Sequence, residues 1–374
     1  MHGPFWVGYQ SHISGEGSAD TLGLSIWYPA LNPTKNKEEI RYEVTIKDAT
    51  WSPDAPLVAY GHALLNAEVD ESQGPYPLVI LSHGFSLSAA WYSTLAEHYA
   101  SHGFIVLAPD HTEQFDPTFG DMWKAVIDRP GDVKQALDYA EALTASGGNM
   151  AGLIDMAHVA VVGHSYGGYT ALAMAGARYD MAAYQARCAQ VPEDDMNAFL
   201  FCAPLVSNEA DMAARAGLDS TPEGLWPSMG DPRVTAIIPM AGDSYLFDEA
   251  GLSKITIPMM AMTGSADTGT PVGWGAVPAY EYVSSAHKSL VALIGAEHMI
   301  FSTPCENLPW MSDHPAFGYF CFDPVWDKAR GLDLIHHFST AFLLDTLKGD
   351  QAAHEALLPD VVQFPGIEYA TTLE

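Results

Sequence analysis

The chain has 374 residues, of which 48% are hydrophobic, enough for one large α/β domain with an insertion. Its 46 acidic residues against 16 Lys and Arg give a formal charge of −30, which disfavours nucleic acids and anionic membrane surfaces as partners because phosphates would be repelled. No stretch approaches the roughly twenty apolar residues needed to span a bilayer. We therefore expect a single domain over residues 1–374 that acts on a small molecule, while the oligomeric state stays open.

The cysteines fall into two local couples, Cys188 with Cys202 and Cys305 with Cys321, each in a polar, loop-like stretch. An even, locally paired set predicts two disulfides and an oxidising compartment, with four free thiols as the alternative. Together with the acidic composition, this predicts a secreted or periplasmic protein. Residues 1–5 lack the features of a signal peptide, which leaves a cytoplasmic location open. The cysteine spacing does not match a zinc site, and we expect no metal.

The N-terminal part reads as strands followed by alternating strands and helices. Alternating runs at residues 22–28 and 41–46 predict antiparallel strands at a sheet edge. Residues 77–82 form a continuous apolar strand, and an amphipathic helix is predicted over residues 132–145. This alternation predicts an α/β fold with a mostly parallel, doubly wound sheet and antiparallel N-terminal edge strands.

Ser165 lies in a Gly-x-Ser-x-Gly sequence between a predicted strand and a predicted helix. The preceding residues 159–162 are apolar, as is typical of a strand buried on both faces. Gly163 and Gly167 permit a sharp strand-to-helix turn that exposes a serine hydroxyl, and Gly168 lets the helix approach the sheet. We therefore interpret Ser165 as a nucleophile.

The alternation lapses between residues 178 and 232, a Met-, Ala- and Asp-rich stretch. A long interruption in a compact domain is usually a functional insertion, so we predict a cap over the crevice. Trp226 and Met229 would face either the substrate or the small core of the cap itself.

The alternation resumes with three predicted strands, over residues 234–241, 257–263 and 289–294. A serine nucleophile needs a histidine to take its proton and a carboxylate to orient that histidine, in the chain order Ser, Asp or Glu, His. Asp267 and His298 follow the second and third of these strands through short loops, and we predict them as the acid and the base. Asp243, after the first strand, and Glu297 remain as alternatives for the acid.

The loop His83-Gly84-Phe85 should face the same crevice, because ligands lie beyond the carboxyl ends of the strands. We expect the backbone N–H groups of Phe85 and Tyr166 to form an oxyanion hole. The side chains of Phe85, Tyr166, Trp274 and Met299 adjoin the predicted triad and predict an apolar substrate pocket. We interpret His83 as a structural imidazole that is hydrogen-bonded within its own loop. The predicted chemistry, attack of Ser165 on an ester carbonyl, needs no cofactor.

The motifs at residues 81–85, 163–168, 264–267 and 295–298 together resemble the α/β-hydrolase superfamily. Within it, most of the chain is similar to bacterial esterases related to platelet-activating factor acetylhydrolase, often labelled predicted dienelactone hydrolases. True dienelactone hydrolases use a cysteine where this chain has Ser165, and the acetylhydrolases place their acid at the position of Asp243. Polyester-degrading cutinase-like enzymes share the same Ser, Asp, His layout.

This resemblance implies an α/β-hydrolase fold and a serine carboxylesterase. The apolar and aromatic side chains beside the predicted triad favour short-chain or aromatic esters, including phthalate- or terephthalate-type diesters. A phospholipase-like acetylhydrolase and a non-catalytic binding protein on the same fold are the alternatives.

Overall fold

The structure is a computed structural model that describes residues 2–15, 21–48, 56–115, 117–192, 195 and 198–374. The strands are β1 (Trp6–Ser14), β2 (Leu22–Ala30), β3 (Ile40–Val44), β4 (Leu57–Gly61), β5 (Leu64–Leu65), β6 (Tyr76–Ser82), β7 (Ile105–Asp110), β8 (Ile154–His164), β9 (Ala236–Met240), β10 (Met259–Gly264), β11 (Lys288–Leu293) and β12 (Ile367–Thr371). The α-helices are α1 (Ser93–Ser101), α2 (Met122–Thr144), α3 (Tyr166–Met174), α4 (Met181–Cys188), α5 (Ala203–Val206), α6 (Glu209–Arg215), α7 (Glu249–Leu252), α8 (Ala276–Tyr282), α9 (Phe317–Cys321), α10 (Lys328–Lys348) and α11 (Gln351–Ala356). Short 3₁₀ turns include Ala89–Tyr92 and His298–Phe301, and Ala198–Cys202 is a π-helical turn.

Ten of the described strands form one sheet in the order β12-β11-β10-β9-β8-β6-β7-β2-β1-β5. The strands from β11 to β7 run parallel, whereas β2 pairs antiparallel with β7, β1 pairs antiparallel with β2, and β12 pairs antiparallel with β11. The predicted α/β-hydrolase fold class, with antiparallel strands on the N-terminal side, is confirmed. Because β6, β8, β10 and β11 are parallel, the loops that follow them lie at one edge of the sheet.

The central strands are buried on both faces, which explains their continuous apolar sequences. In β6, Leu78 and Ile80 face one core, and Val79 and Leu81 face the other. Helices α2 and α3 cover the first face, while α1 and α10 cover the second. The alternation of side chains along each strand therefore joins the sheet to two helical layers.

Two predicted elements differ from the structure. The run at residues 41–46 does not extend the main sheet, because β3 pairs with β4 in a separate two-stranded sheet. Its Tyr42 hydroxyl accepts a hydrogen bond from Trp27 Nε1 (2.9 Å) and donates one to Glu97 Oε1 (2.7 Å), so this small sheet lies over the face of the main one. Helix α2 begins well before the predicted start, since Met122, Ala125 and Val126 add another buried turn.

Both predicted disulfides are present. The Cα atoms are 5.6 Å apart in Cys188–Cys202 and 5.5 Å apart in Cys305–Cys321, within the range that a disulfide spans. Among the described residues, we find no helix with the length and apolar character required to cross a membrane.

We expect Gly168→Ala to destabilise the fold. A Cβ atom at Gly168 would lie 2.4 Å from the Gly242 Cα atom, so α3 would have to move away from the sheet. The free energy of unfolding should fall by roughly 1–3 kcal/mol, measured by urea denaturation.

Gly131→Ala is the matched control, because Gly131 lies within α2 and a Cβ atom there meets nothing within 4 Å. This variant should be more stable by about 0.5–1 kcal/mol, as expected for Ala over Gly in a helix. Equal effects at the two glycines would contradict the close approach at Gly168.

Candidate active site

The turn between β8 and α3 holds Ser165 in an unusual backbone conformation, with φ 56° and ψ −121°. Its N–H donates to the Met240 carbonyl of β9 (2.8 Å), and its carbonyl accepts from the Gly168 N–H (2.8 Å). Small residues are required around it, because a Cβ atom at Gly163 would lie 2.2 Å from the Gly167 carbonyl oxygen. A non-glycine residue with positive φ is strained, and such strain persists only where the surroundings impose it.

His298 and Asp267 meet beyond the ends of β11 and β10. The His298 Nδ1 atom lies 2.9 Å from Asp267 Oδ1 and 2.8 Å from Oδ2, and both side chains are buried. Because a carboxylate only accepts hydrogen bonds, Nδ1 carries the hydrogen and Nε2 is left with a free lone pair. Burial lowers the pKa of His298, but the adjacent Asp267 carboxylate outweighs it and the net pKa is raised.

The Asp267 loop is itself fixed by local contacts. Asp267 Oδ1 accepts from the Thr270 N–H (2.7 Å), and Glu297 Oε2 accepts from both the N–H and the hydroxyl of Thr268 (3.1 Å each). Gly269 lies against the imidazole, since a Cβ atom there would be 2.8 Å from His298 Cγ. Glu297 therefore contacts the loop that carries Asp267 and does not contact the His298 ring through any bond described.

Asp243, the alternative acid, makes a different contact. Its Oδ1 accepts a hydrogen bond from the Thr270 hydroxyl (2.6 Å), and burial raises the pKa of this carboxyl to about 7. Of the two aspartates, Asp267 is hydrogen-bonded to His298, whereas Asp243 is hydrogen-bonded to Thr270.

Ser165 and His298 line one cavity of about 330 Å³, together with Phe85 and Met299. The remaining walls are mostly apolar and aromatic, including Leu87, Trp91, Phe115, Phe119, Tyr319 and Phe320. The structure therefore brings together the predicted nucleophile and base with two of the four predicted pocket side chains.

The other two predicted pocket side chains lie elsewhere. The Tyr166 ring is fully buried against Phe85 (centroids 5.6 Å apart), and its hydroxyl donates to the Met122 carbonyl (3.2 Å). Trp274 lines a separate cavity of about 220 Å³ with Tyr245. Adjacency in sequence to a functional residue does not fix the direction of a side chain, and α3 turns the Tyr166 ring into the core.

The two amides predicted for the oxyanion hole are available as donors. Neither the Phe85 N–H nor the Tyr166 N–H donates to a group in the described part of the chain. The Tyr166 amide is the first of α3, where backbone N–H groups lack helical acceptors. As predicted, the His83 ring bonds within its own loop, through Nδ1 to the Gly84 carbonyl (2.8 Å).

One wall of the cavity was not predicted from the sequence. His314, Ala316, Tyr319 and Phe320 line it, and they belong to the loop that the Cys305–Cys321 disulfide closes. The aromatic run before Cys321 was the available signal. In contrast, no described residue of 178–232 lines this cavity: Trp226 is buried against Tyr179, with ring centroids 5.7 Å apart, and Met229 packs against the core. The cap over 178–232 stays a prediction.

Within the described ranges, no three His, Cys, Asp or Glu side chains are close enough together to hold a metal ion.

Comparison with known proteins gives partial matches. A family model described as chlorophyllase matches residues 42–191, which include the Phe85 loop and Ser165. Chlorophyllase-1 of Arabidopsis thaliana is 35% identical over 103 residues, 27% of this chain and 29% of that protein. Cutinase est1 of Thermobifida alba is 32% identical over 108 residues, 29% of this chain and 33% of that protein. The chain thus spans about a third or less of the length of these relatives in each match.

The fold and these matches place the chain in the α/β-hydrolase class. Its relatives, chlorophyllases and cutinases, are serine ester hydrolases.

We expect Asp243→Asn to change how stability depends on pH. Burial raises the pKa of the Asp243 carboxyl to about 7, whereas in the unfolded chain it titrates near its ordinary value of about 3.9. The folded wild type therefore binds the extra proton and loses stability as the pH rises between these values. Relative to wild type, the free energy of unfolding of the variant should rise by roughly 3–4 kcal/mol across this range. Parallel curves from urea denaturation would contradict the raised pKa.

Proposed function

We propose that the protein is a serine carboxylic-ester hydrolase that acts through an acyl-enzyme. Ser165 is the nucleophile, His298 the general base and Asp267 the acid that orients the histidine. The observation that carries the proposal is the contact of His298 Nδ1 with both Asp267 oxygens, at 2.8 and 2.9 Å, in a histidine that lines the same cavity as a serine on a strained turn.

The proposed reaction has two halves. Ser165 Oγ attacks the ester carbonyl while His298 Nε2 takes its proton, and the tetrahedral intermediate collapses as the histidine returns that proton to the leaving alcohol. Water then adds to the acyl-enzyme as His298 takes its proton, and the acyl–Oγ bond breaks as the histidine returns that proton to Ser165 Oγ, releasing the carboxylic acid. Asp267 stabilises the imidazolium in both halves, which agrees with the raised pKa of His298.

The Phe85 and Tyr166 amides are the proposed donors to the oxyanion. Phe85 lines the cavity and Tyr166 directly follows Ser165, which also lines it. Both amides are without an acceptor among the described residues, and the Tyr166 amide lies at the N-terminus of α3. Negative charge on the substrate oxygen is favoured there.

For the substrate, we propose short-chain or aromatic esters, including phthalate- and terephthalate-type diesters. The cavity wall offers Trp91, Phe119, Tyr319 and Phe320, which suit an apolar or aromatic group. The Asp48 carboxylate on this wall and the net charge of −30 disfavour substrates that are already anionic. The names of the relatives indicate chlorophyll and cutin as their own substrates.

The finer likeness to bacterial platelet-activating factor acetylhydrolases belongs to the same proposal. A series of nitrophenyl esters of increasing chain length, run beside an oxidised phospholipid, separates the two substrate classes. We also propose an exported or periplasmic location, supported by the two disulfides.

The direct test is labelling by a fluorophosphonate probe. The wild-type protein should be labelled and should hydrolyse nitrophenyl acetate, whereas Ser165→Ala should do neither. Failure of the folded wild type to react with the probe or with any ester would favour a binding protein on the same fold.

Replacing the two aspartates separately should distinguish their roles. Asp267→Asn should lower kcat about 10³–10⁴-fold, because the histidine loses the partner that fixes its tautomer. Asp243→Asn, the matched control, should retain kcat of the wild-type order, since Asp243 contacts Thr270 rather than the histidine. Steady-state kinetics with a nitrophenyl ester measure both, and a larger loss in Asp243→Asn would exchange the roles.

The pH profile of kcat/KM should report the His298 pKa. Only the neutral imidazole can accept the serine proton, so activity should fall in acid with a midpoint above the ordinary histidine value of 6.5. In Asp267→Asn the residual activity should have a lower midpoint, because the carboxylate that raises the pKa is gone. An unchanged midpoint would show that another group controls the acid limb.

A further inference from the structure

Arg129, in α2, is a fully buried cation in a chain that has only 16 Lys and Arg. A guanidinium in the interior is strongly destabilising unless acceptors satisfy its N–H groups. The acceptors that satisfy the Arg129 guanidinium therefore indicate its structural role.

Its contacts converge on the loop after β6. Arg129 Nη1 donates to the His83 carbonyl (2.6 Å), and Nη2 donates to the Gly84 carbonyl (3.1 Å) and to Glu113 Oε1. Glu113 in turn accepts from the Ser86 N–H (3.3 Å). The buried ion pair thus holds this loop at both of its ends.

The Gly84 carbonyl is the important acceptor, because it belongs to the same peptide group as the Phe85 N–H. In a trans peptide the C=O and the N–H point in opposite directions. Hydrogen bonds that draw the Gly84 oxygen into the protein therefore turn the Phe85 N–H outward, and Phe85 lies on the cavity that contains Ser165.

A second donor reaches the same oxygen from His83 Nδ1, at 2.8 Å. His83 Nε2 accepts from the His111 backbone N–H (3.0 Å), which can only donate, and this bond is shorter than the 3.5 Å separation of Nε2 from Asp110 Oδ1. Nε2 is consequently unprotonated, and the hydrogen resides on Nδ1. Two buried donors, one of them cationic, converge on one carbonyl.

We propose that Arg129 and His83 are positioning residues for the oxyanion hole, which hold and polarise the Gly84–Phe85 peptide. This inference rests on the proposed function. The two bonds oppose a flip of the peptide, and a cation at the carbonyl end strengthens the N–H as a donor when negative charge develops on the substrate.

Arg129→Met and Arg129→Lys test the proposal with nitrophenyl acetate and with a trifluoromethyl ketone, whose serine adduct carries an oxyanion. Arg129→Met should lower kcat about 10²-fold, as expected for an oxyanion donor that is no longer held, with KM within about twofold. The Ki of the ketone should rise by the same factor. Arg129→Lys keeps the charge but loses the two-pronged geometry and should give an intermediate loss in both measurements.

Arg178→Met is the matched control. Arg178 also donates to two backbone carbonyls, those of Leu225 (3.0 Å) and Trp226 (2.5 Å), but none of these residues lines the Ser165 cavity. It should leave kcat and Ki unchanged. Urea denaturation of every variant separates lost stability from lost activity.

His83→Ala removes one donor while the Arg129–Glu113 pair stays in place, and it decides the question if Arg129→Met does not fold. His83→Ala should lower kcat and raise the Ki of the trifluoromethyl ketone by equal factors. The proposal is overturned if the folded variants lose stability but keep wild-type kcat and Ki, or if KM rises while kcat is unchanged. An inactive wild type that the fluorophosphonate does not label would instead overturn the proposed function.

Discussion

The close approach of three backbone segments around Ser165 is the constraint on which the site depends. The end of β8, the start of α3 and the loop after β6 meet there with so little space that a Cβ atom at Gly167 would lie 2.0 Å from the Ser82 carbonyl oxygen. This approach imposes the positive φ of Ser165 and connects its backbone to β9. The proposed nucleophile and both proposed oxyanion donors are therefore parts of one rigid corner, as catalytic preorganisation requires.

Charge is distributed very unevenly between the surface and this corner. The chain as a whole is strongly acidic, yet a guanidinium lies behind the proposed oxyanion hole and the His298 imidazole lines the same cavity as the proposed nucleophile. The Arg129 guanidinium, and the imidazolium that His298 becomes in the proposed reaction, favour negative charge in the proposed transition state. Over longer distances the acidic surface repels anions. Since the proposed ester hydrolysis produces a carboxylate, the same field favours departure of that product.

Much of the site could be predicted because its signals are local. Ser165 is enclosed by glycines between a strand and a helix, and Asp267 and His298 follow successive strands in the order that the fold class requires. The disulfides could be predicted for the same reason, since each joins cysteines in one short stretch. The directions of side chains could not be predicted in this way. Tyr166 and Trp274 are near the site in sequence, but helix geometry and a neighbouring loop place their rings elsewhere.

Features that depend on distant packing were also missed. The small sheet of β3 and β4 is joined to β2 by a buried hydrogen bond between Trp27 and Tyr42, which no local sequence pattern indicates. The C-terminal strand β12 has weak alternation of apolar and polar residues, yet it pairs with β11 along its length. Arg129 lies just before the helix predicted over residues 132–145, and nothing in the sequence indicated that its side chain would be buried.

The segment between Cys305 and Cys321 forms part of the cavity wall but lies outside the strands that precede Ser165, Asp267 and His298. It begins after the 3₁₀ turn that contains His298, is closed on itself by the disulfide, and is anchored by Lys328 Nζ, which donates to Ser302 Oγ (2.8 Å) and to the Phe320 carbonyl (2.7 Å). Its sequence can therefore diverge without disturbing the strands that hold the proposed triad. We expect that selectivity in this architecture can evolve, or be engineered, by exchanging this one disulfide-closed loop while the proposed catalytic residues stay unchanged.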